Sequence, residues 1–150
     1  MKAGGGVIVT GDKELDALLA GLEPKLQKKL SRQATRKAAK DIVLPEARNR
    51  VPVDTGDLED SLTVKAIKRS RGKIGHMVTT RDGFFKGDQF YGGFMEFGTK
   101  ERKHKSGKSV GSIQPHSFAF LRPAIYDNEA RIKTEYINDV RELINEAAKK

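Results

Sequence analysis

A long amphipathic helix in the first third of the chain most constrains the fold. Apolar residues recur every four positions after Pro24, which places them along one side of a helix. They are Leu26, Leu30, Ala34, Ala38 and Ile42. Pro24 suits a first helical turn, and Pro45 predicts a kink because it lacks a backbone amide. Pro52 predicts the helix end by pushing Val51 out of the α region.

The opposite side of this helix is strongly basic. Its cationic residues are Lys25, Lys28, Lys29, Arg32, Arg36, Lys37 and Lys40. The whole chain has 29 lysines and arginines against 20 acids, a net charge of +9, which favours an anionic partner such as nucleic acid or an acidic protein face. Basic residues that only solvate helices would explain the same excess. The absence of cysteine from the sequence excludes disulfides, thiolate metal sites and cysteine nucleophiles.

The remaining periodicity predicts an α+β fold. An edge strand is expected over residues 7–10, then a short helix capped by Asp12 with leucines on one face. Segments 62–67 and 74–80 have the pattern of a β-hairpin, and 90–99 has that of a third strand. Pro123 begins a C-terminal helix that continues to the chain end. We therefore predict one domain over residues 1–150, with a small antiparallel sheet of about four strands packed against a long N-terminal helix and a C-terminal helix.

Residues 99–114 form a polar, basic segment without apolar periodicity, which predicts a mobile loop. Its basic residues are Lys100, Arg102, Lys103, Lys105 and Lys108. The segment lacks the interleaved aromatic residues that stack on bases. Any contact with DNA is therefore expected to be with phosphates and without sequence preference.

The tripeptide Asp54-Thr55-Gly56 is the one that carries the catalytic aspartate of aspartic proteases. Such an aspartate must share a site with a second one, which in a chain this short requires a homodimer of an almost all-β fold. The helical N-terminal third argues against that fold. Asp54 followed by Asp57 is instead typical of a helix start, with Asp54 as the N-cap.

Other candidate residues also favour structural roles over chemical ones. Glu96 lies among apolar residues, so a hydrogen bond from a backbone amide or an arginine is more expected than general-base catalysis. Gly92 and Gly93 predict a bulge or a close backbone approach. The three histidines have no metal-ligand spacing, and no phosphate-cradling glycine motif is present, so we expect neither metal nor cofactor. No apolar run reaches the length of a transmembrane helix, and we expect the protein to stay in the cytoplasm where it is made.

Three segments in a fixed order resemble the gene-product-ten family of tailed bacteriophages, small neck and tail-completion proteins of long, non-contractile tails. The segments are "VPVDTGDLEDSL" (51–62), "YGGFMEFGT" (91–99) and "FAFLRPA" (118–124). The motif positions are Pro52, Asp54, Thr55, Gly56, Leu58, Ser61, Tyr91, Glu96, Phe97, Gly98, Thr99, Phe120, Leu121, Pro123 and Ala124. Ala119 departs from the pattern, since family members often have proline there.

The resemblance implies a structural virion protein at the head–tail junction, with no catalytic residues. Identical subunits would form a ring, with six copies favoured and twelve possible, around a channel for genomic DNA. The neighbours would be the head-closing ring and the tail terminator or tail tube, and no membrane would be involved. The basic residues of 100–108 would contact DNA or partner proteins. A sequence-independent DNA-binding protein and a homodimeric protease using Asp54 are the alternatives.

Overall fold

The computed structural model describes residues 13–68, 73–114 and 117–149 and confirms the predicted α+β class. The helices are α1 (Lys13–Ala20), α2 (Pro24–Ala38), α3 (Leu44–Arg50), α4 (Asp57–Ser61), α5 (Tyr91–Phe97), α6 (Leu121–Tyr126) and α7 (Glu129–Ala148). The strands are β1 (Leu62–Ala66), β2 (His76–Thr80), β3 (Arg102–Lys103) and β4 (Ser109–Gly111). In this described part, no helix combines the length and apolar character needed to cross a membrane.

The long N-terminal helix is interrupted before its second proline. Residues Ala39–Val43 form a π turn in which the Leu44 amide bonds to the Ala39 carbonyl, five residues back. Pro45 cannot donate to the carbonyl four residues before it, and a π turn accommodates that missing bond. The irregularity predicted at Pro45 thus takes the form of a π turn just ahead of it. Val51 is extended (φ −64°, ψ 133°), as its position before Pro52 predicts.

The core has two parts that share the small side chains of the N-terminal helix. Ala34 and Val140 are fully buried where α2 packs against α7, with Leu19 and Ile144 beside them. The larger part lies among α3, α6 and the pair of strands β1 and β2. Ile42, Leu62, Val78 and Phe120 belong to this cluster. Ala34 therefore lies at the contact between α2 and α7.

The four strands form two separate antiparallel pairs. β1 pairs with β2 in a register that sets Leu62 opposite Thr80 and Ala66 opposite His76, which confirms the predicted hairpin. β3 pairs with β4 inside the segment that the sequence predicts to be a loop. Gly107, with a φ of 84°, lies in the turn between them. The described strands thus make two hairpins and no continuous four-stranded sheet.

The predicted strand over 90–99 is wrong, because this segment forms helix α5. Its aromatic residues raise strand propensity and its two glycines lower helix propensity, which misleads a local interpretation. The glycines do provide the predicted close approach. The Gly93 amide donates to the Phe84 carbonyl at 2.9 Å, so α5 lies directly against the preceding loop. Tertiary contacts decide the conformation here.

The C-terminal helix is divided where the sequence predicts one continuous helix. A turn at Asp127 and Asn128 separates α6 from α7. The Asn128 side chain donates to the Ala124 carbonyl at 3.0 Å. The backbone carbonyl of Asn128 accepts the Ile132 amide at 2.8 Å. The predicted strand at 7–10, the Asp12 cap and the side chains of Leu15 and Leu18 lie outside the described residues.

Replacing Gly93 with alanine should destabilise the fold more than replacing Gly92. A Cβ on Gly93 would lie 2.6 Å from the Phe84 carbonyl oxygen, which the hydrogen bond holds in place. We expect Gly93→Ala to lose about 1–3 kcal/mol of unfolding free energy in urea denaturation. A Cβ on Gly92 would meet one atom below 3.0 Å, the Leu58 methyl at 2.8 Å, which belongs to a side chain and can shift more easily than a backbone atom. Equal stability of Gly93→Ala and wild type would contradict this packing.

Candidate functional site

A buried carboxylate connects two of the three motif segments. Glu96, on α5, is 1% exposed. Its Oε2 accepts the amides of Phe120 and Leu121 at 3.0 and 2.9 Å, and its Oε1 accepts the Arg122 amide at 3.0 Å. These amides open helix α6 and have no intrahelical partners, so the carboxylate caps that helix from 24 residues away in sequence. The prediction that Glu96 finds backbone donors is confirmed.

Aromatic residues flank this carboxylate and one of its bonded amides. Phe84 makes edge-to-face contacts with Phe97 and with the fully buried Phe120, at centroid separations of 6.1 and 6.2 Å. The Arg122 guanidinium lies over the Phe97 ring at 5.3 Å, with its Nε 3.9 Å from Glu96 Oε1. The positive charge therefore balances the carboxylate from the edge of the site. The described partners of the carboxylate are thus three backbone amides and one guanidinium.

The first motif segment joins the same cluster through Leu58. A Cβ on Gly92 would lie 2.8 Å from the Leu58 methyl, so the missing side chain lets α4 lie against α5. The Ser61 hydroxyl is buried and donates to the Leu58 carbonyl at 2.8 Å. The structure thus brings together segments 52–61, 91–99 and 120–124, which are far apart in sequence.

Asp54 is not the helix cap that the sequence predicts. Helix α4 begins later, with Gly56 as its N-cap in the left-handed region at a φ of 88°. The Thr55 hydroxyl donates to the Asp57 carboxylate at 2.6 Å. Asp54 itself is exposed in the bend after Pro52, which is also exposed. The glycine, which alone adopts this φ without strain, determines where the helix starts.

The end of α5 leads directly into the basic segment. Gly98 has a φ of 76° and donates its amide to the Phe94 carbonyl at 2.8 Å, which ends the helix. Thr99 then exchanges two bonds with Ile113: its amide donates to the Ile113 carbonyl at 2.8 Å, and its hydroxyl accepts the Ile113 amide at 3.0 Å. This pair closes the base of a hairpin that we call the basic hairpin, residues 100–112.

All side chains from Lys100 to Val110 are exposed in the basic hairpin. The five predicted contact residues, Lys100, Arg102, Lys103, Lys105 and Lys108, therefore share one projecting element. Glu101 is occupied by a hydrogen bond from the Ser109 hydroxyl at 2.8 Å. The mobility predicted for residues 99–114 stays a prediction, while the hairpin pairing shows that the segment has regular structure.

Exposed aromatic residues adjoin the basic hairpin. We call Phe85, Phe90 and Tyr91 the aromatic surface; they are 48, 50 and 37% exposed. Phe94 contacts Phe85 and Phe90 at 5.7 and 6.0 Å and lies 5.9 Å from the Arg102 guanidinium. Sequence reasoning missed this surface because it assigned the segment to a strand. The spacing of Phe90, Phe94 and Phe97 at i, i+4 and i+7 is the helical signal that could have found it.

A histidine lies beside the basic helix. His76 Nδ1 is 2.9 Å from the Thr35 hydroxyl oxygen on α2. Burial lowers the pKa of His76, and the positive charges of Arg36 and Arg32 lower it further. On the other flank of α2, Lys37 pairs with the buried Asp139 of α7, and this hydrogen bond raises the pKa of Lys37. Among the described residues, no group of acids and histidines has the arrangement of a metal site.

Comparison with protein families agrees with the resemblance seen in the motifs. The family model described as "Bacteriophage HK97-gp10, putative tail-component" matches residues 13–98. That range covers more than half of the chain and includes the first motif segment and residues 91–98 of the second, with Glu96. Comparisons with curated proteins and with solved structures give no match.

The carboxylate of Glu96 should be essential for stability. Glu96→Gln leaves one oxygen to serve three amides and points an amide donor at other donors, so we expect a loss of about 2–3 kcal/mol in urea unfolding. Glu101→Gln, on the exposed hairpin, is the control and should unfold like the wild type. A Glu96→Gln variant with wild-type stability would contradict the capping role.

The lowered pKa of His76 should make stability depend on pH. In the folded protein His76 becomes protonated less readily than in the unfolded chain. The contribution of neutral His76 to stability is therefore fully present above about pH 6.5. It is lost as the pH falls below that value toward the folded pKa. Between about pH 7.5 and about pH 5, wild type should lose more unfolding free energy than His76→Gln. His104→Gln, on the exposed hairpin, controls for the loss of one histidine.

Proposed function

We propose, given that this chain belongs to the HK97-gp10-like family of bacteriophage tail components, that it is a structural protein of the head–tail junction. Identical subunits would form a ring between the head-closing complex and the tail terminator or tail tube, with DNA passing through its channel. Six copies are favoured, with twelve as the alternative. The observation that carries this proposal is the fixed scaffold around Glu96, from which an exposed basic hairpin and an aromatic surface project.

The scaffold supports a structural role because the carboxylate at its centre is occupied by backbone amides. Both oxygens of Glu96 accept backbone amides, and the residue is 1% exposed. The three motif segments that meet there are consequently accounted for by folding. Functional contacts with other proteins are then expected at the surface, where the side chains are free to be buried by a partner.

Two exposed apolar surfaces support assembly into a ring. One is the aromatic surface on α5 and the preceding loop. The other contains Val53 and Tyr126, 64 and 67% exposed, on segments joined by the ion pair between Arg50 and Asp127 at 2.7 Å. A head-to-tail ring requires two different complementary surfaces on each subunit, and exposed apolar side chains are typical of such contacts. We propose that these two surfaces meet between neighbouring subunits.

The basic hairpin is proposed to contact the neighbouring ring or the DNA in the channel. The hairpin is joined to the rest of the described fold by the Thr99 and Ile113 bonds at its base and by the contact of Arg102 with Phe94, so the exposed tip can adapt to a partner. Contacts made by lysines and arginines to phosphates carry no sequence information, which suits DNA that must slide past. Residues Lys100, Arg102, Lys103, Lys105 and Lys108 are the proposed contacts.

Shortening the basic hairpin should separate folding from assembly. Replacing residues 101–110 with a short glycine-serine linker keeps Thr99 and Ile113 and removes only exposed side chains. Thermal unfolding should therefore change little, whereas joining of heads to tails in phage carrying the variant should fall at least tenfold. Electron microscopy would count free heads and tails. Normal yields of joined particles, or an unfolded variant, would contradict the proposed role.

The ring is tested by cryo-electron microscopy of purified necks or whole virions. Density for six or twelve copies of this chain between the head-closing ring and the tail would support the proposal. The double variant Phe90→Ser with Tyr91→Ser removes two exposed side chains of the aromatic surface. It should prevent assembly of the subunits into a ring without unfolding the subunit. Complete virions without this chain would overturn the proposal.

A further inference from the structure

Helix α2 and the following π turn carry a continuous stripe of positive charge opposite the core. Its members are spaced by four, three, four and four residues, so they follow one side of the helix. They are Lys25, Lys29, Arg32, Arg36 and Lys40, and all of them are exposed. Leu30, Ala34 and Ala38, on the other side, are buried. We call these five residues the helix stripe.

The charge pattern of the helix stripe differs from that expected for a helix whose charged side contacts only water. Within the described residues, none of its five members takes part in a salt bridge. Like charges three and four residues apart repel one another by about 0.2–0.5 kcal/mol per pair. Helix α7 provides the comparison inside the same fold, because it mixes acids such as Glu129, Glu135 and Glu142 with Arg131 and Lys133. The stripe therefore has an unfavourable charge pattern that solubility does not require.

The positive field of the stripe acts on its surroundings. Burial lowers the pKa of His76, which lies on β2 beside the helix, and the charges of Arg36 and Arg32 lower it further. The hydrogen bond between His76 and Thr35 fixes the distance between that strand and α2. The neighbouring groups on the other flank are Lys37, Asp41 and Asp139, and the acid Asp139 is buried and already paired with Lys37. The exposed edge of the helix thus remains strongly cationic.

We propose that the helix stripe binds the phosphate backbone of duplex DNA. From Lys25 to Lys40 it extends about 22 Å along the helix, roughly two-thirds of a turn of duplex. Helix α2 has no aromatic residue on which an unpaired base could stack. The stripe has no apolar centre either, and protein interfaces normally have one. A regular polyanion fits this surface better than a folded acidic protein does.

This inference differs from the proposed function in both residues and requirements. It places DNA contact on a regular helix, 60 residues or more before the basic hairpin, and it holds for a single subunit without a ring. Because the helix is packed against α7 through Ala34 and Val140, the backbone that carries the charges is ordered before DNA arrives. Binding then requires no ordering of the backbone, while the contacts remain blind to sequence.

The test measures binding of the full-length chain to a fluorescent 25-base-pair duplex as salt increases from about 30 to about 200 mM. The stripe variant changes Lys29, Arg32 and Arg36 to glutamine. Its matched control changes Arg131, Lys133 and Lys149, which are exposed on or next to α7, to glutamine, with the same loss of charge. A third, hairpin variant changes Lys103, Lys105 and Lys108 to glutamine and shows how much the basic hairpin contributes. We expect the stripe variant to bind at least tenfold more weakly at low salt. Its slope of log affinity against log salt should be shallower by about 2.7, while the control stays near wild type.

A charge-preserving variant separates the field from the shape of the side chains. Arg32→Lys with Arg36→Lys should bind like wild type, because phosphate contact depends on the positive charge. Circular dichroism and thermal unfolding of each variant confirm that binding losses do not come from unfolding. A duplex of scrambled sequence should bind equally well, as expected for contacts with the backbone alone.

Three results would overturn the inference. One is a wild-type chain with no salt-dependent duplex binding. The second is loss of binding in the hairpin variant with the stripe variant unchanged, which would place DNA on the hairpin. The third is binding to polyglutamate but not to duplex, which would identify an acidic protein as the partner. Because joining of heads to tails is scored separately, failure of this inference leaves the test of the proposed function unaffected.

Discussion

The rest of the structure depends on one buried carboxylate. Burying the charge of Glu96 without partners would cost several kcal/mol, and the three amides at the start of α6 would be equally costly if left unpaired. The hydrogen bonds between the carboxylate and these amides remove both costs. The fold therefore places α5 against α6 at one specific distance, and the aromatic rings that pack around this contact follow from it.

Two glycines make this contact possible. Gly93 lets the backbone of α5 approach the Phe84 carbonyl, and Gly92 leaves room for Leu58 from α4. Both lower the intrinsic helix propensity of α5, so the helix is held by its tertiary contacts and not by its own sequence. A short helix of this kind presents Phe90 and Tyr91 to solvent in a fixed orientation. A rigid aromatic surface loses little entropy when a partner covers it.

The sequence predicts most elements whose stability is local and misses those that tertiary contacts determine. Periodicity and prolines identify the long helix from Pro24 to Arg50, and alternation identifies the first hairpin. Glu96 is identified as a buried hydrogen-bond acceptor because a carboxylate among apolar residues needs donors. Helix α5 and the Gly56 cap are missed, because aromatic residues and Asp54 suggested locally favourable alternatives. The hairpin of β3 and β4 is missed because its strands have too few residues to show a period.

The excess of positive charge is divided between two elements with different mechanical properties. The basic hairpin is joined to the fold mainly through Thr99 and Ile113, so it can change shape when it meets a partner and pay for ordering with the surface it buries. The helix stripe is backed by the close contact of α2 with α7 and cannot change shape in the same way. A rigid, evenly charged surface suits an anion of regular form, whereas an adaptable one suits a protein surface. On these proposals, charge alone attracts both partners, and the stiffness of each element determines which of them it holds.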